Sequence, residues 1–260
     1  MRLHHLLVLL MLLLGISGST WAGPTGGAVD VQLRSDSGRL LPLYPVAGRP
    51  PARRVYAEAV KGDHYSIVVR NLLNRRVGLV IAVDGRNIII SGKHSWLRND
   101  ERMYILEPYG QGEFKGWRTS LDSVNRFYFT DAADSYAAAF RDESAMGVIA
   151  VAVYPEVERR QESSDLSLGQ SRAAQRDAPS AKAEGERAGT GFGRQEHSPV
   201  RVVAFDPEPT AAERILIKYE WRSALCRQGV IASGACGTDA PPRIRLWDDE
   251  GFAPPPPGRS

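Results

Sequence analysis

Apolar residues recur at every second position through Val29-Asp30-Val31-Gln32-Leu33, the period of a strand with one buried face. Ser35-Asp36-Ser37-Gly38 then supplies turn chemistry. Leu40 to Val46 resumes the apolar pattern but contains Pro42 and Pro45. Proline cannot donate to an inner ladder, so this stretch predicts an edge hairpin. Tyr65 to Arg70 is a β-branched run, and Val77 to Asp84 is nearly continuous in apolar residues. It ends in Asp84-Gly85, a strong hairpin dipeptide, after which Asn87 to Ser91 returns. Met103 to Leu106, Phe114 to Trp117 and Val124 to Thr130 are further strand candidates. Asp134 to Arg141 predicts one short helix with Asp134 as N-cap. Met146 to Tyr154 reads as a buried strand, and Val200 to Phe205 and Arg214 to Glu220 as two late ones. Short strands separated by turn signals, without βαβ alternation, predict an all-β fold: an antiparallel β-sandwich or jelly-roll-like domain with one short helix.

The ends of the chain break this pattern. Leu6 to Leu14 is an unbroken apolar run, preceded by Arg2 and followed by Thr20-Trp21-Ala22. A basic start, a short apolar core and small residues before a cut predict a secretory signal peptide at 1–22, cleaved between Ala22 and Gly23. A spanning helix would need roughly 20 apolar residues. The expected destination is therefore the periplasm or the medium. Residues 157–190 are dominated by Ser, Ala, Gln, Arg, Glu and Asp, with Leu166 and Leu168 as the large apolar residues of the polar run. Such a segment buries too little surface to offset its ordering entropy and predicts a disordered linker. The resulting organisation is a sandwich at 23–156, the linker, additional strands at 191–246 packing on the sandwich, and a flexible Pro-rich tail at 247–260. Cys226 and Cys236 are expected to form a disulfide in an oxidising compartment. A loop this short stabilises by roughly 2–3 kcal/mol through the unfolded chain.

The formal net charge is +3. Basic pairs at Arg53-Arg54, Arg75-Arg76 and Arg159-Arg160 are scattered among acids, so no nucleic-acid surface is expected. Ser91-Gly92-Lys93-His94 lacks the glycine spacing and the hydroxyl of a phosphate loop. Gly189-Thr190-Gly191-Phe192-Gly193 follows no strand pattern and reads as a flexible re-entry into the fold. His64, His94 and His197 sit in no metal-ligand spacing, so no metal and no cofactor are expected. Asp131, Asp134, Asp142 and Glu143 flank the predicted helix and read as cap and loop chemistry. Tyr104, Tyr109, Phe114 and Trp117 lie in and around a Gly-rich stretch. Tyr109, Phe114 and Trp117 are the candidate binding residues, because aromatics near loops stack on sugars or anchor partners. Their alternative role is to plug one end of the sandwich.

The stretches NRRVGLVIAVDGRNIIISGK, GWRTSLDSVNRFYFT, DSYAAAF and MGVIAVAVYPE, with GRLLPLYP before them and GTGFGR after, resemble a family of uncharacterised exported proteobacterial proteins. The resemblance implies an exported domain and supplies no activity. Together these features predict a non-catalytic envelope protein, a binding module for another envelope protein or a surface glycan. One alternative is a secreted hydrolase assembled from distant residues, with Asp84, His94 and Asp131 as first candidates. Another is a structural subunit recruiting a neighbour at a sheet edge.

Overall fold

The alternating and continuous apolar runs become strands of two sheets. The computed structural model of the protein describes residues 27–46, 52–90, 93–158 and 187–236. The signal segment, residues 159–186 of the expected linker and the tail at 247–260 lie outside the described residues. In chain order the strands are β1 (Val29–Ser35), β2 (Leu43–Val46), β3 (Ala52–Ala59), β4 (His64–Asn71), β5 (Val77–Val83), β6 (Arg86–Asn87), β7 (Tyr104–Leu106), β8 (Gln111–Phe114), β9 (Gly116–Arg118), β10 (Ser123–Asp131), β11 (Val148–Pro155), β12 (Ala188–Thr190), β13 (Gln195–His197) and β14 (Glu213–Trp221). One sheet runs β1-β4-β10-β12, with β8 on β4 and with β9 and β13 on β10. The other runs β2-β3-β14-β11-β5-β6, with β7 on β5. Every pairing is antiparallel except β3 with β14, which is parallel. The chain is thus an all-β sandwich.

The inward faces follow from the sequence period. Val29, Val31 and Leu33 of β1, Tyr65, Ile67 and Val69 of β4, and Leu79, Ile81 and Val83 of β5 all belong to one buried cluster. Burying each such side chain is worth about 1.5–3 kcal/mol. β5 reads as continuous rather than alternating because its outer face is also covered: Val80 packs with Ala152, Tyr154, Leu97 and Met103. Gly78 permits this cover, since a Cβ there would lie 2.5 Å from the Met103 sulfur and 2.7 Å from the Phe205 ring. Pro45 sits in β2, the terminal strand of its sheet, as the proline rule requires. Leu40 folds back on β1 through an antiparallel bridge to Arg34, and Leu41 N–H donates to the Leu33 carbonyl at 2.8 Å, but from Leu43 onward the chain leaves β1 and pairs with β3.

Two expectations fail locally. The helix predicted at Asp134–Arg141 is absent; the chain makes two 3-10 turns, Ala132–Asp134 and Ala138–Phe140. Asp134 caps neither turn, whose N-cap positions are Asp131 and Ala137, and the Ser135 hydroxyl accepts from Ala138 N–H at 3.2 Å. Helix propensity in Ala-Ala-Ala is overridden because the segment must bury Ala137 and lay Tyr136 on Trp117. The α-helix of the described residues lies elsewhere, at Arg222–Arg227 (α1). Val200–Phe205 forms no strand: Val202 and Val203 are exposed, Val202 at 77 %. β-branched composition favours a strand only where a partner and a face are offered. Beyond residue 190, β14 lies in the middle of its sheet between β3 and β11. The late residues therefore complete the sandwich itself. α1 carries Cys226, which is disulfide-bonded to Cys236.

Candidate functional site

The β5–β6 hairpin builds two polar clusters. Asp84 and Gly85 both take left-handed backbone angles, φ 47° and 77°, as the tightest hairpin turn demands. Asp84 is fully buried and accepts three hydrogen bonds: from Gly147 N–H at 2.8 Å, Thr190 N–H at 2.8 Å and the Tyr219 hydroxyl at 2.6 Å. Thr190 Oγ1 continues the chain to Tyr219 (2.7 Å) and to Tyr65 (2.8 Å). This network crosses from one sheet to the other. Burial pushes the Asp84 carboxyl up to about 6 against the opposing pull of its three donors and of Lys218. Burial likewise raises both tyrosine hydroxyls well above their ordinary value.

The second cluster leads to the surface. Arg86 is buried, 4.1 Å from the centre of the Phe140 ring and 3.5 Å from Asp142 Oδ2. A backbone bridge pairs Arg86 with His94, which brings His94 Nδ1 to 3.0 Å from the same Asp142 oxygen. The other Asp142 oxygen accepts from Ser144 N–H and Oγ. Burial works to raise the Asp142 carboxyl, but the Ser144 hydrogen bonds and the charges of His94 and Arg86 together hold it below its ordinary value. Trp96 lies 6.5 Å from the His94 ring, nearly parallel to it. Its backbone N–H and that of Arg98 donate to Glu101 Oε1, while Ser95 Oγ and Asn87 Nδ2 donate to Glu101 Oε2. One carboxylate thus fixes the loop that presents Trp96. On the other flank, Phe140 meets Tyr136 edge-on at 5.1 Å, and Tyr136 stacks on Phe192 at 5.0 Å.

The result is a contiguous strip, Trp96–His94–Asp142–Arg86–Phe140–Tyr136–Phe192. Trp96, Phe140 and Phe192 are 60 %, 45 % and 42 % exposed. A row of exposed aromatics on a scaffold tied down by buried charge offers stacking faces with one solvent-facing imidazole among them.

The residues singled out from the sequence are placed as follows. Trp117 is fully buried and donates its indole N–H to the Gly191 carbonyl at 3.1 Å. Phe114 is buried against Tyr104, with ring centres 4.4 Å apart. Tyr109 is 58 % exposed on a left-handed turn. The three therefore share no exposed face. Of the hydrolase candidates, Asp84 turns inward, His94 binds Asp142, and Asp131 pairs with Lys61. The structure does not bring these three together. The Gly189–Gly193 stretch is not a flexible re-entry. Ala188–Thr190 is strand β12, and a Cβ at Gly191 would fall 2.2 Å from the Tyr128 ring, so glycine there serves close packing. The strip was missed because its residues come from four separate stretches, 86, 94–96, 136–142 and 192; only the Asp84-Gly85 turn marked the hairpin that anchors it.

Among the described residues no group of three His, Cys, Asp or Glu side chains could hold a metal ion. No described helix is long and apolar enough to cross a membrane. No family model matches the chain, and neither does any curated protein or solved structure.

Proposed function

We propose that the chain is an exported, non-catalytic envelope protein whose ligand face is the aromatic–histidine strip and whose ligand is a surface glycan. The observation that carries the reading is the exposure of Trp96, Phe140 and Phe192 in one row over the buried Arg86–Asp142 pair. Sugar rings present apolar C–H faces to aromatic planes and hydroxyls to polar groups, and the strip offers both. Export is supported by the signal-like sequence at 1–22 and by the Cys226–Cys236 disulfide, which belongs to oxidising compartments. The resemblance to exported proteobacterial proteins points the same way.

The test is titration with oligosaccharides released from bacterial envelopes, followed by calorimetry. Binding should weaken about three- to tenfold in Trp96→Ala and in Phe140→Ala, because one aromatic contact contributes roughly 0.5–1.5 kcal/mol. Unchanged binding in both variants, or no binding by the intact chain, would refute the reading.

A further inference from the structure

A second surface feature shares Glu101 with the loop that presents Trp96. A groove of about 910 Å3 is lined by residues 101–105, 119–121 and 199–203, with Phe205 and Pro207 at one end. That volume is in the range of built ligand sites. Two strips of backbone border it. One is β7, whose sole strand partner among the described residues is β5, so its second edge is open. The other is Arg201–Phe205, which belongs to no strand or helix and whose N–H groups make no hydrogen bond among the described residues. Open backbone donors and acceptors flanking an apolar slot are what strand addition uses. The slot's apolar lining includes Ile89, Ile105, Leu121 and Val200.

Charge narrows the occupant. Arg102 and Arg201 line the groove, are exposed, and make no ion pair among the described residues. Of the two acids lining it, Glu101 is held in place by four neutral donors, and Glu107 lies 3.6 Å from Arg76, which also pairs with Glu156 at 2.9 Å. The lining therefore holds three arginines, Arg102, Arg118 and Arg201, against two carboxylates, Glu101 and Glu107, a small positive excess.

We propose that this groove binds an extended peptide segment of a partner protein, with apolar and acidic residues in alternation, as an added strand on β7. Its apolar side chains enter the slot, its carboxylates meet Arg102 and Arg201, and its main chain completes the ladder of β7. The proposal is independent of the glycan reading and needs none of the strip residues.

The probe is an acetylated Asp-Val-Asp-Val-Asp-Val peptide added to the full chain, read by fluorescence anisotropy and by amide hydrogen exchange. The peptide should bind and slow exchange at Ile105 and at Val202–Val203. The double reversal Arg102→Glu with Arg201→Glu should weaken it by about tenfold, the sum expected of two exposed ion pairs turned repulsive. The same peptide N-methylated at alternate residues, which cannot form a ladder, should not bind. Equal binding by the methylated peptide, or binding without exchange protection, would overturn the proposal. So would amides already protected in the free chain: protection that grows with concentration would assign the groove to a second copy, and concentration-independent protection to the chain itself.

Discussion

Asp84 and Arg86 stand two residues apart on one hairpin and enter opposite kinds of environment. Asp84 turns between the sheets, where Gly147, Thr190 and Tyr219 answer both of its oxygens. Arg86 turns outward under a ring, and its partners end in exposed Trp96 and Phe140. The inner cluster is closed: each polar group meets another, and nothing is left to offer a ligand. The outer cluster is open: its charges are paired underneath, and its aromatic faces are left to solvent. Closed polar networks between sheets fix how the sheets meet, whereas open aromatic rows cost apolar exposure that a folding core would not require.

The sharpest way to break this contrast is Asp84→Ala. It leaves two buried N–H groups and a hydroxyl without their acceptor, and should cost about 3–5 kcal/mol in urea unfolding. Asp84→Asn keeps an oxygen and tolerates the left-handed turn, so it should cost less, roughly 1–3 kcal/mol. A loss below about 1 kcal/mol in the alanine variant would mean the network does not hold the sheets together.

Acidity tests the same group more gently. The Asp84 carboxyl titrates near 6 in the folded chain and near 3.8 when unfolded. Between those values the native chain keeps a proton that the unfolded chain has released. Its contribution to stability is therefore present below about pH 4, falls as pH rises to about 6, and stays level above that. The total is of the order of 3 kcal/mol at 1.4 kcal/mol per unit. Unfolding midpoints across pH 4–7 should show this slope in the wild type and not in Asp84→Asn; parallel curves would place the titration elsewhere.

The smallest effect belongs to the strip. Trp96 is 60 % exposed, so Trp96→Ala should change stability by no more than about 0.5 kcal/mol while still weakening ligand binding. A larger stability loss would make Trp96 part of the scaffold and blur the distinction drawn here.

Strands were legible wherever one residue's neighbours two positions away shared its face. β1, β10 and β14 announce themselves by full or partial alternation, β4 by its β-branched run, and β5 and β11 by continuous apolar runs under cover on both sides. What failed was anything decided by a distant partner. Val202 and Val203 have strand composition but no neighbouring strand to join. The run Ala137–Phe140 has helix composition, yet it bends so that Tyr136 can reach Trp117 and Phe192. The strip shares this cause: the spacing of His94, Phe140 and Phe192 along the chain carries no period, and only the closing of the sandwich makes them neighbours. Trp117 illustrates the converse, a conspicuous aromatic in a Gly-rich stretch that the core claims.

The parallel pairing of β3 with β14 has a consequence for how the chain reaches this state. Ala52 and Arg214 lie side by side, although nearly the whole sandwich separates them in sequence. β3 and β11 cannot share a sheet until β14 arrives between them. A chain emerging from its N-terminus therefore holds two open edges until its late residues appear, and closing so long a loop is entropically costly and slow. The final commitment to the folded state falls to the last strand, so any holding factor that shields those edges acts on every stage of synthesis that precedes it.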